Sequence, residues 1–332
     1  MTTIERQLSL AGYNFPRVGL GCMGMSDFYS PPEEEKSLLA LHAAFELGYR
    51  HFDTADMYGN GANERLLGRF LRELGSKRSD VLLATKVGIK RVAGDKPAIA
   101  VDSSPEHVRA AVDASLARLG VEQIGLLYLH RKTPDVPIED TVGAFDDLIR
   151  AGKVRAIGLS EVSIETLARA HAVVPVAALQ NEYSLWTRDV ETDTLAFTQR
   201  HGIAFVAYSP LGRGFLTGAF QKPASAGDLR AHLPRFQDGN FDANALLVDK
   251  LRDIAADIGA LPAQVALAWV LSRQENIVVI PGSTNPVNLA NNFAALNITL
   301  SAQHKAQLED IFRQDAIQGG RYPAEILKTV NV

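Results

Sequence analysis

His51-Phe52-Asp53-Thr54-Ala55-Asp56-Met57-Tyr58-Gly59 reads as the end of a short apolar strand that turns polar at Asp53 and reaches a tyrosine five residues later. The stretch contains neither a glycine-rich phosphate loop nor a set of metal ligands. An acid and a phenol just past a strand end begin a pattern that recurs downstream. Lys86 follows the apolar run 81–85, and His130 follows the run 124–129. Eight such runs occur, at 18–22, 49–52, 81–85, 124–129, 156–159, 176–179, 203–208 and 277–280. They are short, apolar and partly β-branched, as buried parallel strands are.

The segments between the runs have helical periodicity. Pro32 with Glu33, Glu34 and Glu35 suits a first turn, Leu38, Leu41, Ala44 and Phe45 follow on one face, and Gly48 stops the helix. Asn63 is the expected N-cap of the next helix, with Leu66, Leu67, Phe70 and Leu71 on its apolar face. Further helices are expected over 104–119, 138–149, 163–172, 189–199 and 286–296. Eight strand–helix units in one α/β chain of 332 residues predict a (β/α)8 TIM barrel, a single domain over 1–332. A doubly wound sheet fits less well, because no G-x-G-x-x-G opens the first helix.

Four parts exceed the repeat. Residues 4–16 predict an N-terminal β-hairpin turning at Ala11-Gly12. A long loop over 209–245 follows the seventh strand, where a barrel places functional loops, and is read as a cofactor cover. Extra helices are expected over 244–258 and 262–273. The tail, 301–332, should hold one helix and then an extended end.

Composition narrows the function classes. There are 34 Lys and Arg against 38 Asp and Glu, a formal charge of −4, so no nucleic-acid partner is expected. The one cysteine, Cys22, rules out a disulfide within the chain and a multi-cysteine metal site. The N-terminal residues lack the apolar core of a signal peptide, and no run reaches the roughly 18 to 20 apolar residues of a membrane span. The expectation is a cytoplasmic protein with no membrane partner; whether it is a monomer or a homo-oligomer is not written in the sequence.

Polar residues end successive strands: Asp53, Lys86, His130, Ser160, Gln180 with Asn181, Tyr208 with Ser209, then Gly282-Ser283. A ring of this kind at the C-terminal mouth of a barrel marks a site, since polar groups are costly within the barrel. Without a histidine cluster or a G-x-S-x-G elbow, a phenol acting as general acid suits the set best. Lys86 would stabilise the Tyr58 phenolate and lower its pKa, Asp53 would hold Lys86, and a neutral His130 would orient a carbonyl. Hydride delivery from a nicotinamide is the natural counterpart. A metal-dependent hydrolase using His51, Asp53 and His130, and a Schiff base on Lys86, are the alternatives at this point.

The sequence resembles the aldo-keto reductase superfamily over nearly its whole length. The resemblance rests on Gly19-Leu20-Gly21, Phe52-Asp53-Thr54-Ala55 with Tyr58-Gly59, Asn63-Glu64, Thr85-Lys86 and Leu127-Tyr128-Leu129-His130. It continues through Gly152-Lys153-Val154-Arg155, Gly158-Leu159-Ser160, Gln180-Asn181-Glu182-Tyr183-Ser184, Ser209-Pro210-Leu211-Gly212-Arg213-Gly214 and Ile280-Pro281-Gly282-Ser283. The runs 182–188 and 212–218 look most like the branch that includes pyridoxal and perakine reductases.

The resemblance implies an NAD(P)H-dependent reductase of aldehydes and ketones with a catalytic tetrad of Asp53, Tyr58, Lys86 and His130, Tyr58 being the proton donor. It implies that Ser160 and Gln180 (the closer match) or Asn181 hold the nicotinamide carboxamide and that Tyr208 stacks on the ring. Ser209, Leu211 and Arg213 would contact the pyrophosphate, and Ser283 and Asn292 the adenosine end. Met23 and Trp186 are candidate walls of the substrate pocket. Some relatives act instead as channel-associated regulatory subunits. NADP(H) is the expected cofactor and NAD(H) an alternative, because 282–288 carries no cation to hold a 2′-phosphate. Backbone amides at the start of the Pro286 helix, with the Ser283 and Thr284 hydroxyls, would have to do so.

Overall fold

The computed structural model describes residues 6–29, 31–92, 98–222, 227–237 and 239–331. A hairpin of β1 (Gln7–Leu10) and β2 (Tyr13–Pro16) opens the chain, turning through left-handed Ala11 and Gly12. The barrel follows in β3 (Leu20–Gly21), β4 (His51–Asp53) and β5 (Leu82–Val87). An antiparallel hairpin, β6 (Ile89–Val92) with β7 (Ala98–Val101), then interrupts it. The barrel resumes with β8 (Leu126–Leu129), β9 (Ile157–Ser160), β10 (Val176–Glu182), β11 (Ala204–Tyr208) and β12 (Ile277–Val279). The eight barrel strands are parallel and neighbour one another in chain order. A parallel bridge between Val18 and Val279 joins the last to the first, with Gly19 N–H donating to the Val279 carbonyl at 2.9 Å.

The helices are α1 (Glu34–Leu47), α2 (Ala62–Leu74), α3 (Pro105–Leu119), α4 (Ile138–Arg150), α5 (Ile164–Val173), α6 (Thr194–Arg200), α7 (Asn240–Ile258), α8 (Pro262–Leu271), α9 (Pro286–Ala294), α10 (Ala302–Ile311) and α11 (Ala324–Leu327). Their caps follow local chemistry. Gly48 at φ 108° ends α1, and Ser104 accepts the His107 N–H at 3.3 Å ahead of Pro105 in α3. The main core lies between the helices and the outer face of the sheet. No single helix among the described residues is long and apolar enough to cross a membrane, and the apolar α8 is buried in this core.

Several boundaries differ from expectation. Asn63 is not an N-cap. Helix α2 starts a residue earlier, behind left-handed Gly61, and Asn63 is fully buried. Its amide donates to the Cys22 carbonyl at 2.9 Å and to Ser26 Oγ at 2.8 Å, and its oxygen accepts from Thr54 Oγ1 at 2.6 Å. It therefore ties the loops after β3 and β4 together. The segment 189–199 splits into a 3-10 turn, Asp189–Glu191, and α6. Helix α7 begins at Asn240 instead of 244. The tail ends in α11 rather than extended, and the hairpin of β6 and β7 is additional.

Strand alternation fixes which side chains reach the mouth. Leu82, Ala84, Leu126, Tyr128, Ala178, Ala204, Val206, Val278 and Ile280 fill the barrel interior, with Leu10 and Phe15 of the hairpin closing its floor. Continuing that parity by two residues brings Asp53 (after His51), Lys86, His130, Ser160, Gln180 and Tyr208 to the upper end of the interior. Asn181 falls on the opposite parity and faces the helices.

Candidate active site

Asp53, Lys86, Tyr58 and His130 meet at the mouth, and each is at least nine-tenths buried. The β4 strand stops at Asp53, and the chain turns through 54–57 into a 3-10 segment that begins at Tyr58. The Lys86 ammonium, at 1 % exposure, donates to Asp53 Oδ1, to the Thr54 carbonyl at 2.8 Å and to the Tyr58 hydroxyl at 3.2 Å. Those three acceptors account for its three hydrogens. The His130 ring stands edge-on to Tyr58, with centroids 5.9 Å apart.

The electrostatics sort the roles. Burial alone would lower the Lys86 ammonium, yet Asp53 and Tyr58 hold it above its usual value, so it stays charged. Burial, helped by the Lys86 and Arg131 cations, holds His130 well below the usual histidine range and keeps it neutral. Tyr58 departs from expectation. Burial raises its pKa above the ordinary phenol value, and the lowering by Lys86 does not overcome this, in part because Asp53 adds to the rise. The phenol is thus a held proton, and Lys86 limits how firmly it is held.

Residues around the tetrad supply a frame that the sequence left unassigned. Asp27 accepts the Gly59 N–H at 3.2 Å and pairs with Arg91 of the β6–β7 hairpin, which also donates to the Met57 carbonyl at 3.1 Å. Met23, Phe28, Ala55, Met57 and Ile89 pack beside Tyr58. This puts Met23 against the Tyr58 cluster. The β6–β7 hairpin had a signal: two runs with β-branched residues flank Gly94, Asp95 and Pro97.

The cofactor candidates separate into two groups. Ser160, Gln180 and Tyr208 lie on one wall, on the adjacent strands β9, β10 and β11. Gln180 also donates to Asp53 Oδ2 at 2.8 Å. Asn181 is directed elsewhere, its oxygen accepting the Glu161 N–H at 3.0 Å, so parity favours Gln180 of that pair. Ser160 Oγ accepts from Arg131 at 3.2 Å. Past β11 the chain winds through left-handed Ser209, Gly212, Arg213 and Gly214. Leu211 packs into the core, and its carbonyl accepts from Gly214 and Leu216.

Arg213, expected at the pyrophosphate, has a partner within the protein. Its guanidinium is buried against Glu182, donating at 2.9 and 3.3 Å, because a carboxylate buried on β10 needs a cation. At the adenosine end, Ser283 Oγ accepts the Asn285 N–H at 3.1 Å, and Asn285 accepts the Val287 N–H at 2.9 Å. The start of α9 is therefore partly capped by its own side chains. Asn292 is buried within α9. Trp186 is 1 % exposed, stacked on Phe215 with centroids 4.8 Å apart and lying under Arg235. It packs the loop after β10 against the loop after β11 and reaches a cavity of about 610 Å³ beside the tail.

The described residues 229 and 230 of the loop after β11 meet the loop after β3. Leu229 N–H donates to the Phe28 carbonyl at 2.8 Å, and the Arg230 guanidinium covers the Tyr29 ring at 4.7 Å. The metal-hydrolase alternative loses its ligands. His51 is directed at the floor, its ring 5.3 Å from Phe15, and burial pushes it down to about 4. Among the described residues no three His, Cys, Asp or Glu side chains gather around one point.

The fold is thus a closed parallel barrel with a buried acid–lysine–phenol chain at its C-terminal mouth. The family profile "Aldo/keto reductase family" matches residues 17–313, and the chain belongs to that family. It is 41 % identical over 319 residues to "Probable aldo-keto reductase 1" of Glycine max, covering 95 % of this chain and 91 % of that one. It is 39 % identical over 313 residues to the aldo-keto reductase yakc of Schizosaccharomyces pombe, whose name carries NADP(+), covering 93 % and 92 %. Among solved structures, the glycerol dehydrogenase of Gluconobacter oxydans superposes with a TM-score of 0.84 at 29 % identity, covering 92 % of this chain and 94 % of that one.

Proposed function

We propose that the protein is an NADP(H)-dependent reductase that converts aldehydes and ketones to alcohols, with Tyr58 as general acid. One observation carries the reading: a buried Lys86 ammonium joins the Asp53 carboxylate to the Tyr58 hydroxyl. That arrangement serves a phenol that must give up its proton and briefly carry the charge. The mouth also suits a nicotinamide, since a hydroxyl, a carboxamide and a half-buried phenol ring stand on adjacent strands at Ser160, Gln180 and Tyr208.

Bound NADPH supplies the hydride. The protein's part is done by its own side chains. His130, kept neutral, directs the carbonyl oxygen toward Tyr58 by a hydrogen bond. Tyr58 donates its proton to that oxygen as negative charge develops there, and Lys86 stabilises the phenolate left behind. Asp53 holds Lys86 charged and in place. Ser160 and Gln180 would hold the carboxamide, and Tyr208 would support the ring. Met23 and Phe28 keep water from the phenol.

NADP(H) is chosen over NAD(H) on the name of the yeast relative, although 282–288 offers hydroxyls and amides without a cation. The test is NADPH oxidation across a panel of aldehydes that includes pyridoxal and aromatic members, in wild type and Tyr58→Phe, with dissociation constants for NADPH and NADH. Turnover by wild type and its loss in Tyr58→Phe are expected. Full activity in Tyr58→Phe would refute the mechanism, and a tighter constant for NADH would reverse the cofactor assignment.

A further inference from the structure

Tyr208 is held at its hydroxyl by a network that reaches the far end of the chain. The hydroxyl donates to Glu161 Oε1 at 2.8 Å and lies 3.1 Å from the Tyr322 hydroxyl. Glu161 is buried at 3 % exposure and left-handed at φ 55°, an uncommon conformation for a residue with a side chain. Its Oε1 also accepts the Glu182 N–H at 2.9 Å, and its Oε2 accepts from Arg321 at 2.5 Å. Two guanidinium groups lie over the Tyr322 ring, Arg213 at 4.9 Å and Arg321 at 5.2 Å from its centroid.

The tail is docked independently just before it delivers these residues. Asn244 of α7 exchanges two hydrogen bonds with the Gln318 backbone, both 2.9 Å. Left-handed Gly319 lies so close to the 234–235 backbone that a Cβ there would meet Pro234 C at 2.8 Å. Arg321 and Tyr322 therefore arrive in a set position. Such a network is larger than packing of a tail requires, because it converges on the one hydroxyl of a ring at the catalytic mouth.

We propose that Arg321 and Tyr322 are positioning residues for hydride transfer. Acting with Glu161 on the Tyr208 hydroxyl, they fix the tilt of the Tyr208 ring and so the height of the nicotinamide above the substrate carbon. The proposal rests on the reading that Tyr208 supports the nicotinamide. A tyrosine free at its hydroxyl end can rock about its side-chain bonds, and a ring tethered there by two partners cannot. Hydride transfer is sensitive to such placement, since misplacement by about 1 Å can lower a rate by about a hundredfold.

The experiment measures single-turnover NADPH oxidation by stopped flow, NADPH dissociation constants and melting temperatures. The variants are Tyr322→Phe, Arg321→Met, Arg321→Lys, Tyr208→Phe, Tyr208→Leu and the double variant Tyr208→Phe/Tyr322→Phe. Tyr322→Phe and Arg321→Met should each slow hydride transfer about 5- to 50-fold, with a smaller change in dissociation constant. Arg321→Lys should recover most of the rate. In the Tyr208→Phe background the second change should add nothing, because the hydroxyl it acts through is gone. Tyr322→Phe alters one oxygen and keeps the test open should Arg321→Met fail to fold. Wild-type rates in Tyr322→Phe and Arg321→Met, or equal losses with and without the Tyr208 hydroxyl, overturn the proposal. Should Tyr208→Leu slow transfer while the tail variants do not, only the positioning role falls. Should Tyr208→Leu leave rate and binding unchanged, the nicotinamide assignment of Tyr208 falls with it.

Discussion

Gln180 donates its side-chain amide to Asp53 Oδ2 at 2.8 Å, while Lys86 takes the other oxygen of the same carboxylate. A residue expected at the cofactor thus also braces the far end of the Asp53–Lys86–Tyr58 chain. Gln180→Leu should leave Asp53 Oδ2 buried without its donor and reduce stability by about 1–3 kcal/mol. The same change should weaken NADPH binding. Urea unfolding and fluorescence titration check the two effects separately, and loss of one without the other would divide the roles assigned to Gln180.

Tyr58→Phe removes the donated proton and leaves the ring in place. Turnover should fall about 10²- to 10⁴-fold, with the NADPH dissociation constant within a few-fold of wild type. Steady-state kinetics and a binding titration check it.

The pH dependence follows from the directions of the shifts. Tyr58 has its pKa raised, so the phenol keeps its proton through neutral pH and beyond the ordinary phenol value. His130 is held far below neutrality and does not titrate there. Carbonyl reduction should therefore be flat from about pH 6 to pH 9. Alcohol oxidation, which needs the phenolate as base, should climb with pH over that range. In Asp53→Asn the largest influence holding up the Lys86 pKa is gone and burial lowers it. Reduction by that variant should fall further as pH rises. A variant profile as flat as that of wild type over this range would contradict the role given to Asp53.

Arg213 and Glu182 form a buried pair at 3 % and 0 % side-chain exposure. Glu182→Gln leaves the Arg213 cation without its main counter-charge and should destabilise the protein by about 3–5 kcal/mol. The double variant Arg213→Met/Glu182→Gln should lose less than the sum of the single variants, as chemical denaturation of the four proteins would show.

Asp56 provides a stability test outside the tetrad. Burial, with Glu64 nearby, pushes its carboxyl up to about 7. An acid whose folded pKa lies above its unfolded pKa opposes folding once the unfolded chain ionises. Its contribution therefore falls as pH rises from about 4 to about 7 and then levels. Asp56→Asn should flatten that part of the profile and melt higher than wild type at pH 8. A fixed offset between the two melting curves from pH 4 to 8 would exclude the effect.

The barrel was legible because its strands are buried on both faces and read as separate apolar runs, closed from the second onward by polar residues or a Gly-Ser turn. Asp53, Lys86 and His130 could be found for the same reason, since a charged or titratable group directly after such a run has few other places to go. Other features are set across space. The bond from Gln180 to Asp53 joins residues 127 positions apart, and that from Arg321 to Glu161 joins residues 160 apart. No local period encodes either. Asn63 shows the same limit at short range. Its residue type suits a cap, yet the structure uses it to bind three loop atoms because its side chain faces inward. The net rise of the Tyr58 pKa was hidden as well, since a sequence shows the neighbouring lysine and not the depth of burial.

The hairpin of β1 and β2, with Phe15 and the interior side chains above it, closes the lower end of the barrel. The Tyr58 phenol, at the upper end, is therefore approached from the mouth and not through the floor. A ligand of the tetrad would thus enter and leave by the same side of the barrel.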